Sequence, residues 1–376
     1  MGISLNANER RVLDVIWRKG PIARAAIADQ LDLTTAPVTR ITKRLADEGL
    51  LIESVQHSGS RGNPLRPLQV CPDGAYAIGI SFSHRYLDAG LVDLAGNLIK
   101  SLRVPLVEPS PQLIRSAAVD CVNQLQSAFP RSKDKLLGAG FAVPGDFTPG
   151  RRRINAHPYF PKLRDVDLVE TFADVIDLPV FIENDCNAFA LGERVMGQGR
   201  GFSNFFCVFV GHGIGGGVVI DGSLYRGDHG NAGGLHSFFP LSAPRPSGHD
   251  LFDTMAREGL NLRDFCDFDA PEALDLPGVR PWLARAGAQL RDALTITARL
   301  FDPGAIIIGG RLPPAFLREL RDAISGPSFC ADAPLEKPEV VASELGSEAG
   351  VIGAAAVALQ GQFLNPGRGR DSDDQE

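Results

Sequence analysis

The hydrophobic pattern of this chain changes character once, near Pro72. Before that point apolar residues recur at helical spacing in three short segments, and after it strand-like runs alternate with helical stretches. A chain divided in this way folds as a small helical module followed by an α/β body with a largely parallel or mixed sheet. Its 376 residues exceed what one core of ordinary size organises, so two or three domains are expected.

In the first segment Asn8 reads as the N-cap of a helix whose apolar stripe is Val12, Leu13, Ile16 and Trp17, and Gly20-Pro21 ends it. A second helix runs from Ala25 to Leu31, and the pair Thr34-Thr35 caps a third, with Pro37 in its first turn, where a missing N–H does no harm. In that third helix Val38, Ile41 and Leu45 share the core face, leaving Ala36, Thr39, Arg40 and Lys43 outward. Strand residues follow Gly49, and His57 to Arg66 reads as the loop of a β-hairpin, with Arg61 flanked by Gly59 and Gly62.

Charge separates the same two parts. Residues 1–70 hold ten Lys/Arg and seven Asp/Glu, a net of +3, whereas 71–376 hold 28 and 38, a net of −10. A basic helix-turn-helix with a wing is a module for double-stranded operator DNA, its third helix entering the major groove. The candidate contacts are Thr35, Ala36, Thr39, Arg40, Lys43 and Arg44 on that helix, and Arg61 reaching a minor groove from the wing. Three short helices alone would equally suit a protein-binding bundle; the turn, the wing and the Arg-Gly-Asn-Pro tip favour DNA.

The six cysteines are scattered, with no CxxC pair, so free, mostly buried thiols are expected and no metal site. No apolar run is long enough to span a bilayer and the start is polar, which predicts a cytoplasmic protein with no membrane partner.

In the body, Ala77 to Ile80, Ala89 to Val92 and Ile99 to Val104 read as three strands, followed by a helix from Pro111 to Ala128 and a strand from Leu137 to Gly145. A hairpin from Phe205 to Leu224 carries Gly211-His-Gly-Ile-Gly-Gly-Gly217 at its turn. The ordered motifs are Val143-Pro144-Gly145, Glu183-Asn-Asp-Cys-Asn-Ala-Phe-Ala-Leu-Gly-Glu193, that glycine loop, Gly230-Asn-Ala-Gly233 and Pro303-Gly-Ala-Ile-Ile-Ile-Gly-Gly310. Together they resemble the ROK family, bacterial sugar kinases and sugar-responsive repressors that share the fold of hexokinase and actin. The resemblance covers nearly all of 73–362.

It implies a two-lobed α/β body of the actin and hexokinase type and a carbohydrate site in the cleft between the lobes. In the family's kinases the residue matching Asp185 is the general base on a sugar hydroxyl and the residue matching Asn184 bonds the ring. Pro144, Gly145, Asn155, His157, Gly233, Gly234 and His236 are the further candidates for effector contacts.

Departures from the kinases bear on function. Where they carry an Asp-x-Gly-Gly-Thr loop for Mg²⁺ and ATP phosphates, this chain has Ser81-Phe-Ser-His-Arg-Tyr86. His212 stands in the second phosphate loop at a threonine position. The sugar-binding Glu-x-Gly-His is replaced by Gly234-Leu-His-Ser237, and the cysteine-rich zinc motif by Pro240 to His249. The expectation is a DNA-binding regulator, a repressor of carbohydrate-utilisation genes, with no catalytic residue, no metal and no cofactor, acting as a homodimer or homotetramer. Its domains are 1–72, 73–364 and a disordered tail, 365–376. The alternatives are an ATP-dependent sugar kinase with an appended DNA-binding domain and a body reduced to a dimerisation platform.

Overall fold

The computed structural model describes residues 3–54, 66–156, 160–173, 175–331 and 336–363. The expected tail therefore lies outside the described residues. The chain forms two compact units, Met1–Asp185 with Val351–Glu376, and Cys186–Gly350.

The first unit begins with α1 (Ala7–Lys19), α2 (Arg24–Leu31) and α3 (Thr35–Asp47), then an antiparallel pair, β1 (Leu51–Glu53) and β2 (Leu68–Val70). The cap of α1 is Asn6 and not Asn8: the Asn6 side chain accepts the Glu9 N–H at 3.0 Å, and the Glu9 carboxylate accepts the Asn6 N–H at 2.9 Å. The reciprocal box needs an acidic residue three places on, which Asn6 has and Asn8, followed there by Arg11, lacks. Val12, Leu13, Ile16, Trp17, Val38, Ile41 and Leu45 are buried, as their spacing requires.

Beyond a 3₁₀ turn at Pro72–Gly74 lies a five-stranded sheet. Its strands are β3 (Tyr76–Phe82), β4 (Tyr86–Asp93), β5 (Leu98–Pro105), then, after helix α4 (Pro111–Ala128), β6 (Leu136–Val143). Pro144 interrupts the run read as one strand to Gly145, and a small hairpin of β7 (Gly145–Phe147) and β8 (Ile154–Ala156) follows. After α5 (Leu168–Phe172), β9 (Val180–Asn184) completes the sheet in the order β5-β4-β3-β6-β9.

The second unit repeats this plan. Helix α6 (Asp185–Val195) leads to β10 (Phe205–Val210), β11 (Ile214–Ile220) and β12 (Ser223–Tyr225). Then come α7 (Gly248–Arg257), α8 (Val279–Phe301), β13 (Ala305–Gly310), α9 (Pro314–Ile324) and β14 (Glu339–Ala342), with sheet order β12-β11-β10-β13-β14. Both sheets are a three-stranded antiparallel meander extended by two parallel strands, and the parallel additions require the helical crossovers the sequence supplies.

The helices that cover the sheets explain several glycines. Helix α10 (Ala349–Phe363), buried all round from Val351 through Gln360, packs on the first sheet so closely that a Cβ on Gly140 would stand 1.8 Å from the Ala354 carbonyl oxygen. A Cβ on Gly217 would likewise stand 2.6 Å from Ala190 Cβ on α6. The glycine run read as a turn is thus only partly one: Gly211 to Gly213 turn, while Gly215 to Gly217 are strand residues, of which Gly215 and Gly217 admit α6 and Gly216 faces Phe206. Cys121, Cys186, Cys207 and Cys330 are buried, Cys71 is half-buried and Cys266 exposed, all as free thiols.

Candidate functional site

Helix α3 presents Thr35, Ala36, Thr39, Arg40, Lys43 and Arg44 as exposed residues on the side opposite its buried stripe. Among the described residues, no ion pair or side-chain hydrogen bond engages Arg40 or Lys43, so both cations are available to phosphates or base edges. Arg44 is placed differently. Its guanidinium pairs with the buried Glu9 carboxylate and donates to the Ser4 carbonyl at 3.2 Å, tying α3 to the start of α1. Thr34 occupies the N-cap without a side-chain cap bond, and Thr39 donates its hydroxyl to the Thr35 carbonyl at 2.8 Å.

The wing strands are anchored by charge. Glu53 on β1 accepts from Arg24 at 2.7 Å and lies 3.5 Å from Arg66, and the Arg24 hydrogen bond holds its carboxyl below the usual range. Arg24 also donates to Thr42 of α3 at 3.1 Å, so one side chain joins α2, α3 and the wing. Arg61 lies outside the described residues.

In the body of the first unit, five of the expected ligand residues come together. Asn184, at the end of β9, donates its side-chain amide to the Gly145 carbonyl at 3.0 Å and to the Asp185 carboxylate at 3.2 Å. Pairing of Gly145 with Ala156 and of Asp146 with Asn155 sets the exposed Asn155 on the partner strand of that hairpin. Gly145 sits at φ 133°, a conformation that favours glycine, and Pro144 precedes it, half-buried. His157 lies outside the described residues. Gly233, Gly234 and His236 belong to the second unit, where His236 is half-buried in a 3₁₀ turn, Leu235–Phe238.

One pair here escaped the sequence reading. Glu183 is almost wholly buried beside Asn184, accepts the Asn184 N–H at 3.0 Å, and pairs with Arg151 at 3.0 Å; Arg151 in turn lies 4.9 Å above the Phe147 ring. The hairpin β7–β8 brings Arg151 back over β9, and the only sequence signal was the unexplained run Arg151-Arg-Arg153.

The segments 81–86 and 211–217 each make internal contacts. Between β3 and β4 the Ser83 hydroxyl accepts the N–H groups of Arg85 at 3.2 Å and Tyr86 at 3.0 Å, and the Ser83 N–H donates to the Tyr86 carbonyl at 2.7 Å. Phosphate oxygens need such N–H groups unpaired. In the second unit the His212 ring lies 5.0 Å from Phe265, edge to face, and 5.7 Å from Phe252, while the Gly211 and His212 carbonyls accept the N–H groups of Gly248 and His249. Among the described residues no three His, Cys, Asp or Glu side chains gather as metal ligands, and no helix is long and apolar enough to cross a membrane.

Residues 77–238 match the ROK family, and residues 5–52 match a winged helix-turn-helix DNA-binding domain. An uncharacterised protein of Sinorhizobium fredii, y4fQ, is 38% identical over 362 residues, 96% of this chain and 92% of its own. The chain belongs to the ROK family. Among its ROK relatives, the xylose repressor of Bacillus spizizenii is 27% identical over 375 residues, 95% of this chain and 96% of the repressor. A solved ROK transcriptional regulator, a homologue of the Escherichia coli MLC protein, superposes with a TM-score of 0.69 at 24% identity. That likeness spans 95% of this chain and 96% of the other, so the winged helix and the ROK body are both present in the expected fold.

Proposed function

We propose that this chain is a transcriptional regulator, a repressor of carbohydrate-utilisation genes, that reads operator DNA with α3 and its wing and releases it when a carbohydrate effector binds the body. The observation that carries the reading is the joining, in one chain, of a winged helix whose Arg40 and Lys43 are exposed, with no partner among the described residues, to a ROK body. The named repressor relative has the same full-length arrangement.

In this reading the winged helix occupies 1–72 and the effector-binding body 73–364. Asn184, Asp185, Gly145, Pro144 and Asn155 meet sugar hydroxyls, together with His157, Gly233, Gly234 and His236. An amide and a carboxylate side by side can donate to and accept from vicinal hydroxyls. Thr35, Ala36, Thr39, Arg40, Lys43 and Arg61 contact DNA, whereas Arg44 serves mainly to hold α3 against α1. The chain acts in the cytoplasm as a homodimer or homotetramer, because a symmetric assembly presents two recognition helices to a palindromic site.

The closed Ser83 turn speaks against phosphoryl transfer, since the Arg85 and Tyr86 N–H groups are taken by the Ser83 hydroxyl and the segment 81–86 carries no carboxylate for Mg²⁺. The experiment that tests the function is selection of bound fragments from genomic DNA by the full chain, followed by a binding titration on the enriched site. Enrichment of a discrete palindromic sequence is expected; recovery of DNA without sequence preference overturns the reading.

A further inference from the structure

The stretch from Gly230 to Gly248 contains no aspartate or glutamate, although residues 71–376 as a whole carry a net charge of −10. Its one fixed charge is Arg245, which is half-buried. Among the described residues the Arg245 Nε is fully buried with no acceptor, and the one hydrogen bond of the guanidinium runs from Nη2 to the His236 carbonyl at 3.5 Å. Among the described residues no carboxylate lies within ion-pair reach of it, and burial lowers its pKa from the usual value. Asp250, the next acidic residue along the chain, is taken by Trp282 at 2.9 Å and by Arg285.

An acceptor is left open beside the same peptide. Gln289 of α8 donates Nε2 to the Pro244 carbonyl at 2.8 Å, and its Oε1 is buried with no donor. The Pro244–Arg245 peptide is therefore flanked by a cation with unused donors and by an amide oxygen with none to accept from. A buried polar group without a partner is destabilising, and more so where it is charged. The neighbouring arginines on α8 are satisfied: Arg285 by Asp250, and Arg291 by the Ala323 carbonyl and the Ser328 hydroxyl.

We propose that Arg245 and Gln289, beside His236, bind the acidic end of an anionic carbohydrate. The guanidinium donates to a carboxylate or phosphate, and a ligand hydroxyl donates to Gln289 Oε1. The planar fork of arginine matches both anions, and a permanently charged donor set in an acid-free stretch selects them over a neutral sugar. This proposal rests on the effector-binding reading above and assigns the effector its chemical class.

The test is calorimetric titration of the full chain with D-glucuronate, D-gluconate and glucose 6-phosphate beside neutral glucose and xylose, repeated on Arg245→Met and Gln289→Leu. At least one acid or phosphate is expected to bind about ten-fold more tightly than the neutral sugars, which is a difference of ~1.4 kcal/mol. The carboxylates and the phosphate, run separately, tell which anion the site takes. Arg245→Met, with thermal unfolding checked to be unchanged, is expected to remove that preference, and Gln289→Leu to weaken it. The comparison among ligands on the unaltered chain needs no variant. Neutral sugars binding as tightly, no anion binding, or full anion affinity in Arg245→Met overturns the proposal. A neutral sugar that releases operator DNA would overturn it while leaving the regulator reading intact, whereas failure to find any operator would sink that reading itself.

Discussion

The Ser83 hydroxyl accepts the Tyr86 N–H at 3.0 Å, closing the turn between β3 and β4. The same oxygen also accepts the Arg85 N–H, so two donors that could grip phosphate are spent inside the protein. No ADP is expected to form when the full chain is incubated with ATP, Mg²⁺ and a panel of sugars. Sugar-dependent turnover that vanishes in Asp185→Asn would contradict this.

Arg40 and Lys43 are exposed on α3 and have no partner among the described residues, and they are predicted to contribute in different ways. Arg40→Ala should cost about 1–3 kcal/mol on the specific operator if the side chain reads a base edge. Lys43→Ala should weaken specific and non-specific DNA alike and reduce the slope of log affinity against log salt by about one. Unchanged operator affinity in the double variant would contradict the placement of the recognition helix.

Arg44 is expected to act on stability. Removing it leaves the Glu9 carboxylate, 4% exposed, without its cation. Because Arg44 itself is 48% exposed, the loss is smaller than for a fully buried pair, about 1–2 kcal/mol. Chemical denaturation of Arg44→Ala measures it, and a loss of operator affinity with no loss of stability would return Arg44 to the list of DNA contacts.

Glu193 makes the molecule pH-sensitive. Burial pushes its carboxyl up to about 7, against the opposing hydrogen bonds from the Ser343 hydroxyl and the Gln198 N–H. A carboxyl raised in the folded state binds its proton more tightly there than in the unfolded chain. Its contribution is therefore fully present below about pH 4.5 and is lost as pH rises through about 7, an effect on the order of 3 kcal/mol. Glu193→Gln, which cannot ionise, should fall off less steeply than the native chain across that window in denaturation series at several pH values. Parallel curves would show that the carboxyl titrates normally.

Much of this architecture is legible along the chain because its signals are local. The stripe Val38, Ile41 and Leu45 and the cap-and-proline start of α3 lie within single helical turns, and the range Pro111–Ala128 of α4 coincides with the helix read from sequence. The cap of α1 was also local, yet Asn8 drew attention from Asn6 because only the Glu9 side chain distinguishes them. The glycines Gly215 and Gly217 read as part of a turn because a sequence does not show that α6 lies against them. Arg151 with Glu183, and Arg245 beside Gln289, join residues 32 and 44 positions apart, and only the hairpin β7–β8 and the packing of α8 make them neighbours.

The central claim is that the body senses a ligand on behalf of the winged helix. A ligand can shift the DNA-binding equilibrium only by its differential affinity for the two forms of the protein. The decisive measurement is operator affinity of the full chain with and without the effector found by calorimetry, in the native protein and in Asp185→Ala. The effector is expected to weaken specific binding about ten-fold or more while non-specific binding is largely kept, and Asp185→Ala to blunt the response. A ligand that binds and stabilises the native chain but leaves operator affinity unmoved would contradict it.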